Sequence, residues 1–178
     1  MANNNTSDYK IVLIDSSNVF YTDDNTHNFD FYIKLTDPLK DVYKIKVLYD
    51  SVSFQQDIIK LPTIKNLDQI YVNLNSYDRV RSFLINPVTK VQNPLRYFDS
   101  IMIDKCKIKD IKDVTEITMF NDFNENEGDY YLNPVESQFN RLNIQLRDKN
   151  NAIITKSFID RFVMKLCIYY YTKKVSQF

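Results

Sequence analysis

FNRLNIQLRD, residues 139–148, alternates apolar and polar side chains almost one for one. Successive side chains of an extended chain point to opposite faces, so Leu142, Ile144 and Leu146 share one face and Asn143, Gln145 and Arg147 share the other. A strand with one dry and one wet face belongs to a sheet packed against something else. The polar break Lys149-Asn150-Asn151 ends it. The same period of two appears on both sides. Residues 29–35 set Phe29, Phe31, Ile33 and Leu35 against Asp30, Tyr32 and Lys34. Residues 42–54 set Tyr43, Ile45, Val47 and Tyr49 against Lys44, Lys46 and Leu48, and residues 67–75 align Ile70, Val72 and Leu74. Further strands are expected at 10–14, 100–104, 114–120, 152–155 and 162–171. Asp37-Pro38 and Pro62 act as breaks, residues 86–94 form a loop holding Pro87 and Pro94, and 134–140 or 157–160 leave room for a helix. Short strands between turn signals predict an all-β sandwich or barrel.

A chain of 178 residues suffices for one domain with a substantial core. Residues 1–9, which begin MANNNTSDY, read as a polar, flexible N-terminal arm, and 10–178 as a single domain. Apolar residues make up 44% of the chain and aromatics 14%, with no Trp, a globular composition. Lys plus Arg and Asp plus Glu stand at 23 each, so no global basic excess is present to hold nucleic acid by its phosphates, and sequence-specific nucleic-acid binding is not expected. Near-zero net charge also leaves self-association unopposed. No secretory signal and no run of 18 apolar residues occurs, which predicts synthesis in a reducing cytoplasm without secretion. Cys106 and Cys167 then read as buried thiols, and the Asn-x-Ser/Thr sites at Asn4 and Asn5 as chance.

The only glycine, Gly128, excludes phosphate-cradling loops, which need several glycines to bring backbone amides against a ligand. Asn and Asp must then serve the turns, as at Asp23-Asp24-Asn25, Asn75-Ser76 and Asn150-Asn151. The only histidine, His27, sits in a polar turn with no catalytic motif around it. The acidic stretch 122–129 has the carboxylate density of a calcium loop, but it carries Glu127 at the sixth position and Asn133 at the twelfth, so a solvated turn is the better reading. Neither a cofactor nor a metal site is expected, and the chain reads as a non-enzyme.

Two segments are candidate interfaces. Lys105, Lys107 and Lys109 alternate with Cys106 and Ile108, lining three ammonium groups along one strand face. That face could meet acidic neighbours, lipid headgroups or packaged DNA, and a solvated edge strand is the preferred alternative. Tyr169, Tyr170 and Tyr171 follow Met164, Leu166 and Ile168, which suits an interface strand or, as the preferred alternative, core packing with one wet face.

Two longer stretches carry a family resemblance. Residues 11–54, with Ile14-Asp15-Ser16 before a polar loop and Leu39-Lys40-Asp41-Val42 before a long strand, resemble the opening of small jelly-roll capsid proteins. These come from large eukaryotic DNA viruses, virophages and polinton-like relatives. Residues 131–170, with Phe139-Asn140 leading into Leu-x-Ile-x-Leu-x-Asp, resemble the closing strands of the same group. Relatives often carry an arginine where this chain has Asn18-Val19, and a glycine where it has Asn150-Asn151. The resemblance implies an eight-stranded jelly roll that builds an icosahedral shell. It also implies a penton at the five-fold vertices, forming a homo-pentamer and contacting the major capsid protein and other minor capsid proteins in the virion. A minor or cement capsid protein, or a carbohydrate- or receptor-binding jelly roll, is the alternative.

Overall fold

In the computed structural model, Leu142, Ile144 and Leu146 are fully buried, as their alternation requires. The structure describes residues 5–22, 28–55, 68–78, 80–85, 92–103, 116–122 and 129–173. His27, Lys105, Cys106, Lys107, Lys109, residues 123–128 of the acidic stretch with Gly128 among them, the turn at Asp23-Asp24-Asn25, Pro62 and Pro87 lie outside them.

The strands in chain order are β1 (Asn5–Asp15), β2 (Phe20–Tyr21), β3 (Asp30–Leu39), β4 (Val42–Gln55), β5 (Gln69–Leu74) and β6 (Val80–Ile85). There follow β7 (Gln92–Tyr97), β8 (Asp99–Met102), β9 (Glu116–Asp122), β10 (Asp129–Glu136), β11 (Phe139–Arg147) and β12 (Arg161–Lys173). A first sheet runs β1-β12-β4-β10, with β9 on the far half of β4, and a second runs β2-β3-β11-β5-β8. All pairings are antiparallel, and β6 and β7 form a separate two-stranded ladder. The two larger sheets pack as a sandwich, as all-β patterning predicts.

The core fills the space between them. Val12 and Ile14 of β1 and Phe162, Met164, Leu166 and Ile168 of β12 come from the first sheet, and Phe31, Ile70, Val72 and Leu74 from the second. Phe162 bridges the layers, with its ring 6.2 Å from Phe31 and 6.5 Å, edge on, from Phe29. Edge-to-face contacts of this kind add to plain area burial.

The long strand β4 departs from simple alternation. Val42, Ile45, Val47, Val52 and Phe54 are buried, whereas Tyr43 and Tyr49 are not. Its pairing with β12 skips at two places, between the partners of Tyr169 and Tyr170 and between those of Lys165 and Leu166. An extra residue at each bulge turns the following side chains to the other face. The expected Tyr43-Ile45-Val47-Tyr49 face is therefore split.

Other boundaries differ for identifiable reasons. β1 begins at Asn5, and residues 5–9 of the expected arm pair with Lys173 through Tyr169. β3 runs past Asp37-Pro38 to Leu39, because its register with β11 is interrupted there and no ladder bond needs the missing proline N–H. A strand, β10, occupies the start of the segment read as a helix, and Pro134 again falls where pairing with β4 is broken. Pro94 lies in β7, which belongs to a two-stranded ladder and so is an edge strand. Asn75 and Asn151 adopt φ of 50° and 64°, the glycine-like conformation expected of them, and Asp41 does so at 54°.

The end of β1 is tied to the start of β12. Asp15 accepts bonds from the Ser17 amide at 3.1 Å and hydroxyl at 2.8 Å, and from both Nε and Nη2 of Arg161. The Arg161 hydrogen bond is the main reason its carboxyl falls from 3.8 to about 2. A depressed carboxyl contributes stability above its unfolded value that is lost as pH falls through the folded one. Asp15→Asn should cost about 1 kcal/mol near neutral pH, discounted because Arg161 is half-exposed. It should also flatten the acid limb of stability between roughly pH 4 and pH 2, as urea titrations at several pH values would measure.

Candidate functional site

Strand β12 places Tyr169 and Tyr171 on the outer face of the first sheet, opposite the buried Ile168. The bulge in β4 sends Tyr43 and Lys44 to that same outer face, since Val42 and Ile45 on either side are both buried. Tyr43 and Tyr171 stack at 4.4 Å and 18°, and Tyr9 of β1 reaches Tyr169 at 5.9 Å. Lys44 Nζ lies 3.9 Å from the Tyr169 ring centre and 5.7 Å from that of Tyr131 on β10. It also pairs with Asp129 at 3.4 Å, where both side chains are largely buried. One aromatic belt thus crosses β1, β12, β4 and β10. A hydrogen bond with the Cys167 thiol, followed by burial, pushes the Tyr169 hydroxyl upward, so it stays a neutral donor.

The two margins of this sheet are the unusual part. On β1, Tyr9, Ile11 and Leu13 are 58%, 50% and 59% exposed; on β10, Tyr131 and Val135 are 65% and 40% exposed. Both strands end the sheet order: β1 offers a regular edge together with an apolar row, and β10 an exposed apolar pair, Tyr131 and Val135, beside its interrupted pairing. Such an edge is a template for pairing with another chain unless charges or bulges blunt it. Along the outward row of β1 from Ser7 to Leu13, no charge interrupts.

Of the residues singled out from sequence, Tyr169 and Tyr171 belong to this surface. Tyr170 does not: it turns inward against the core, with its hydroxyl 3.5 Å from Asp8. Tyr9, Ile11, Leu13 and Tyr131 were not foreseen. The signal lay in the unbroken run Ile11-Val12-Leu13-Ile14, which makes both faces of one strand apolar.

A concavity of about 360 Å3 opens between the turn at Asn75–Tyr77 and β10. Its lining includes Tyr77, Tyr130 and Glu136, with Tyr77 donating to Glu136 at 3.4 Å. Burial pushes the Tyr77 hydroxyl up to about 12, and among the described residues Glu136 is the carboxylate of the lining. Among the described residues, no group of three His, Cys, Asp or Glu side chains is placed to hold a metal ion, and no helix is long and apolar enough to cross a membrane. No known family model matches the sequence, and no curated protein matches it.

Proposed function

We propose that the chain is a non-catalytic structural component of an icosahedral viral capsid, a penton protein that forms rings of five at the vertices and contacts the major capsid protein. The observation that carries this reading is the pair of exposed apolar margins on opposite sides of one sheet. A ring requires a heterologous contact, one surface of a copy meeting a different surface of the next. The β1 margin of one copy against the β10 margin of its neighbour is such a contact, and the occupant of each margin is a second copy of this chain. Balanced charge removes the main electrostatic opposition to it.

The finer fold assignment, a single jelly roll, is part of the same proposal. Eight of the strands nest as β1 with β12, β3 with β11, β4 with β10 and β5 with β8. An antiparallel hairpin rolled into two sheets produces this nesting. In this reading β2, β6, β7 and β9 are additions to that frame. The family resemblance of residues 11–54 and 131–170 supports the copy number and the virion location.

A cross-linking experiment tests the geometry. Copies bearing Leu13→Cys are mixed with copies bearing Tyr131→Cys, both with Cys106 replaced by Ser, and treated with a short bis-maleimide. The reading predicts mixed-pair adducts well above either self-pair. Adducts of Leu13→Cys copies with one another alone would indicate a two-fold contact and refute the ring.

A further inference from the structure

Between Tyr131 and Glu136 the pairing of β10 with β4 is interrupted, so Leu132 to Val135 leave the ladder and form one wall of the concavity. The Asn75–Tyr77 turn is the opposite wall. Asn75 takes a φ of 50°, and two hydrogen bonds of 2.8 Å fasten it to β11: its amide donates to the Asn143 carbonyl, and its Oδ1 accepts from the Asn143 amide. Tyr77 then packs on the core, with its ring centre 6.5 Å from Phe139 and 5.5 Å from Tyr130. Both walls are therefore set by the sheets before any ligand arrives. At about 360 Å3 the space falls within the roughly 300–1,000 Å3 of small-ligand sites.

Glu136 lines this cavity and is partly buried. Among the described residues its side chain has one partner, the Tyr77 hydroxyl, which donates to Oε2 at 3.4 Å, and it makes no ion pair. Burial keeps that hydroxyl protonated, pushing it up to about 12, so it orients the carboxylate without neutralising it. The neighbouring carboxylates differ. Asp78, next to Tyr77, pairs with Arg96 at 3.6 Å, and Asp129, next to Tyr130, pairs with Lys44 at 3.4 Å. Among the described residues no cationic side chain lines the cavity. An anion partly withdrawn from water and left without a countercharge gains from a cation that enters.

The rest of the lining selects the kind of cation. Leu132, Pro134, Val135 and Tyr130 bring apolar surface to the same cavity as the carboxylate. A bare metal ion needs several oxygen ligands, whereas one carboxylate beside apolar surface suits a single ammonium on an aliphatic stem. We infer that the cavity binds an aliphatic ammonium ion, with its charged end on Glu136 and its stem along the apolar lining. That chemistry belongs to a free diamine and to a lysine side chain of another protein. The cavity is complete within one copy, so the inference does not depend on the assembly reading.

The test is a protein-observed NMR titration of the full chain with cadaverine, with Nα-acetyl-lysine N-methylamide and with the uncharged norleucine analogue of the latter. The site predicts saturable shifts at Tyr77, Tyr130 and Leu132 with an ammonium probe, and no saturation by the norleucine analogue. Tighter binding of cadaverine identifies a free amine as the source, and tighter binding of the lysine derivative a protein side chain. Glu136→Gln keeps an acceptor for Tyr77 but loses the charge, and should weaken binding by roughly tenfold or more. Asp160→Asn removes one negative charge at the other end of β4, beside Ser53, and should leave binding unchanged. The melting temperature of each variant checks folding. Absence of saturation by both ammonium probes, equal binding of the norleucine analogue, indifference to Glu136→Gln, or an equal loss with Asp160→Asn would each overturn the assignment.

Discussion

Phe162→Ala should destabilise the sandwich by about 3–5 kcal/mol and lower its melting temperature by on the order of 10 °C. Phe162 is completely buried and comes from the first sheet, whereas its ring partner Phe31 comes from the second. Removing its ring leaves a cavity between two sheets whose backbones are fixed by their own ladders, so collapse around the gap is limited. Phe162→Leu keeps most of the volume and should cost less than half as much. A chemical denaturation midpoint shift, with unchanged slope, is the measurement. Equal losses for the two substitutions would mean that packing between the layers is not what Phe162 supplies.

Ile11→Asp combined with Leu13→Lys should abolish self-association while leaving the fold nearly as stable as before. Both side chains are at least half exposed in the single copy, so the charges stay in water and cost the fold little. In a contact they would be buried without partners, a penalty of several kcal/mol per charge that a patch of roughly 1,000 Å2 does not overcome. Alternating charges also blunt the β1 edge against strand pairing. Sedimentation velocity of wild type and variant at matched concentration reads the difference. A variant that associates as strongly as wild type would place the contact elsewhere on the molecule.

The period of two made most strands legible in the sequence, and the reason is burial. Wherever one face is dry, a shift of one residue would expose the whole apolar row, so Phe29-Phe31, Ile70-Val72-Leu74 and Leu142-Ile144-Leu146 could be assigned to the core from spacing alone. The bulges of β4 were not legible, because an inserted residue changes which face a side chain takes without changing composition. β10 was hidden by Pro134, which a strand tolerates only where the ladder is already broken, a fact about pairing and not about local sequence. The aromatic belt was half visible. Tyr169 and Tyr171 are neighbours in sequence, but Tyr9, Tyr43 and Tyr131 join them only through the β1-β12-β4-β10 order.

The mass of the purified chain in solution tests the assembly account most directly. Size-exclusion chromatography with light scattering, across a hundredfold range of concentration, should give a species of five 21.2 kDa copies, about 106 kDa, at the upper end. A mass that stays at 21.2 kDa throughout, with the sandwich intact by circular dichroism, would contradict it.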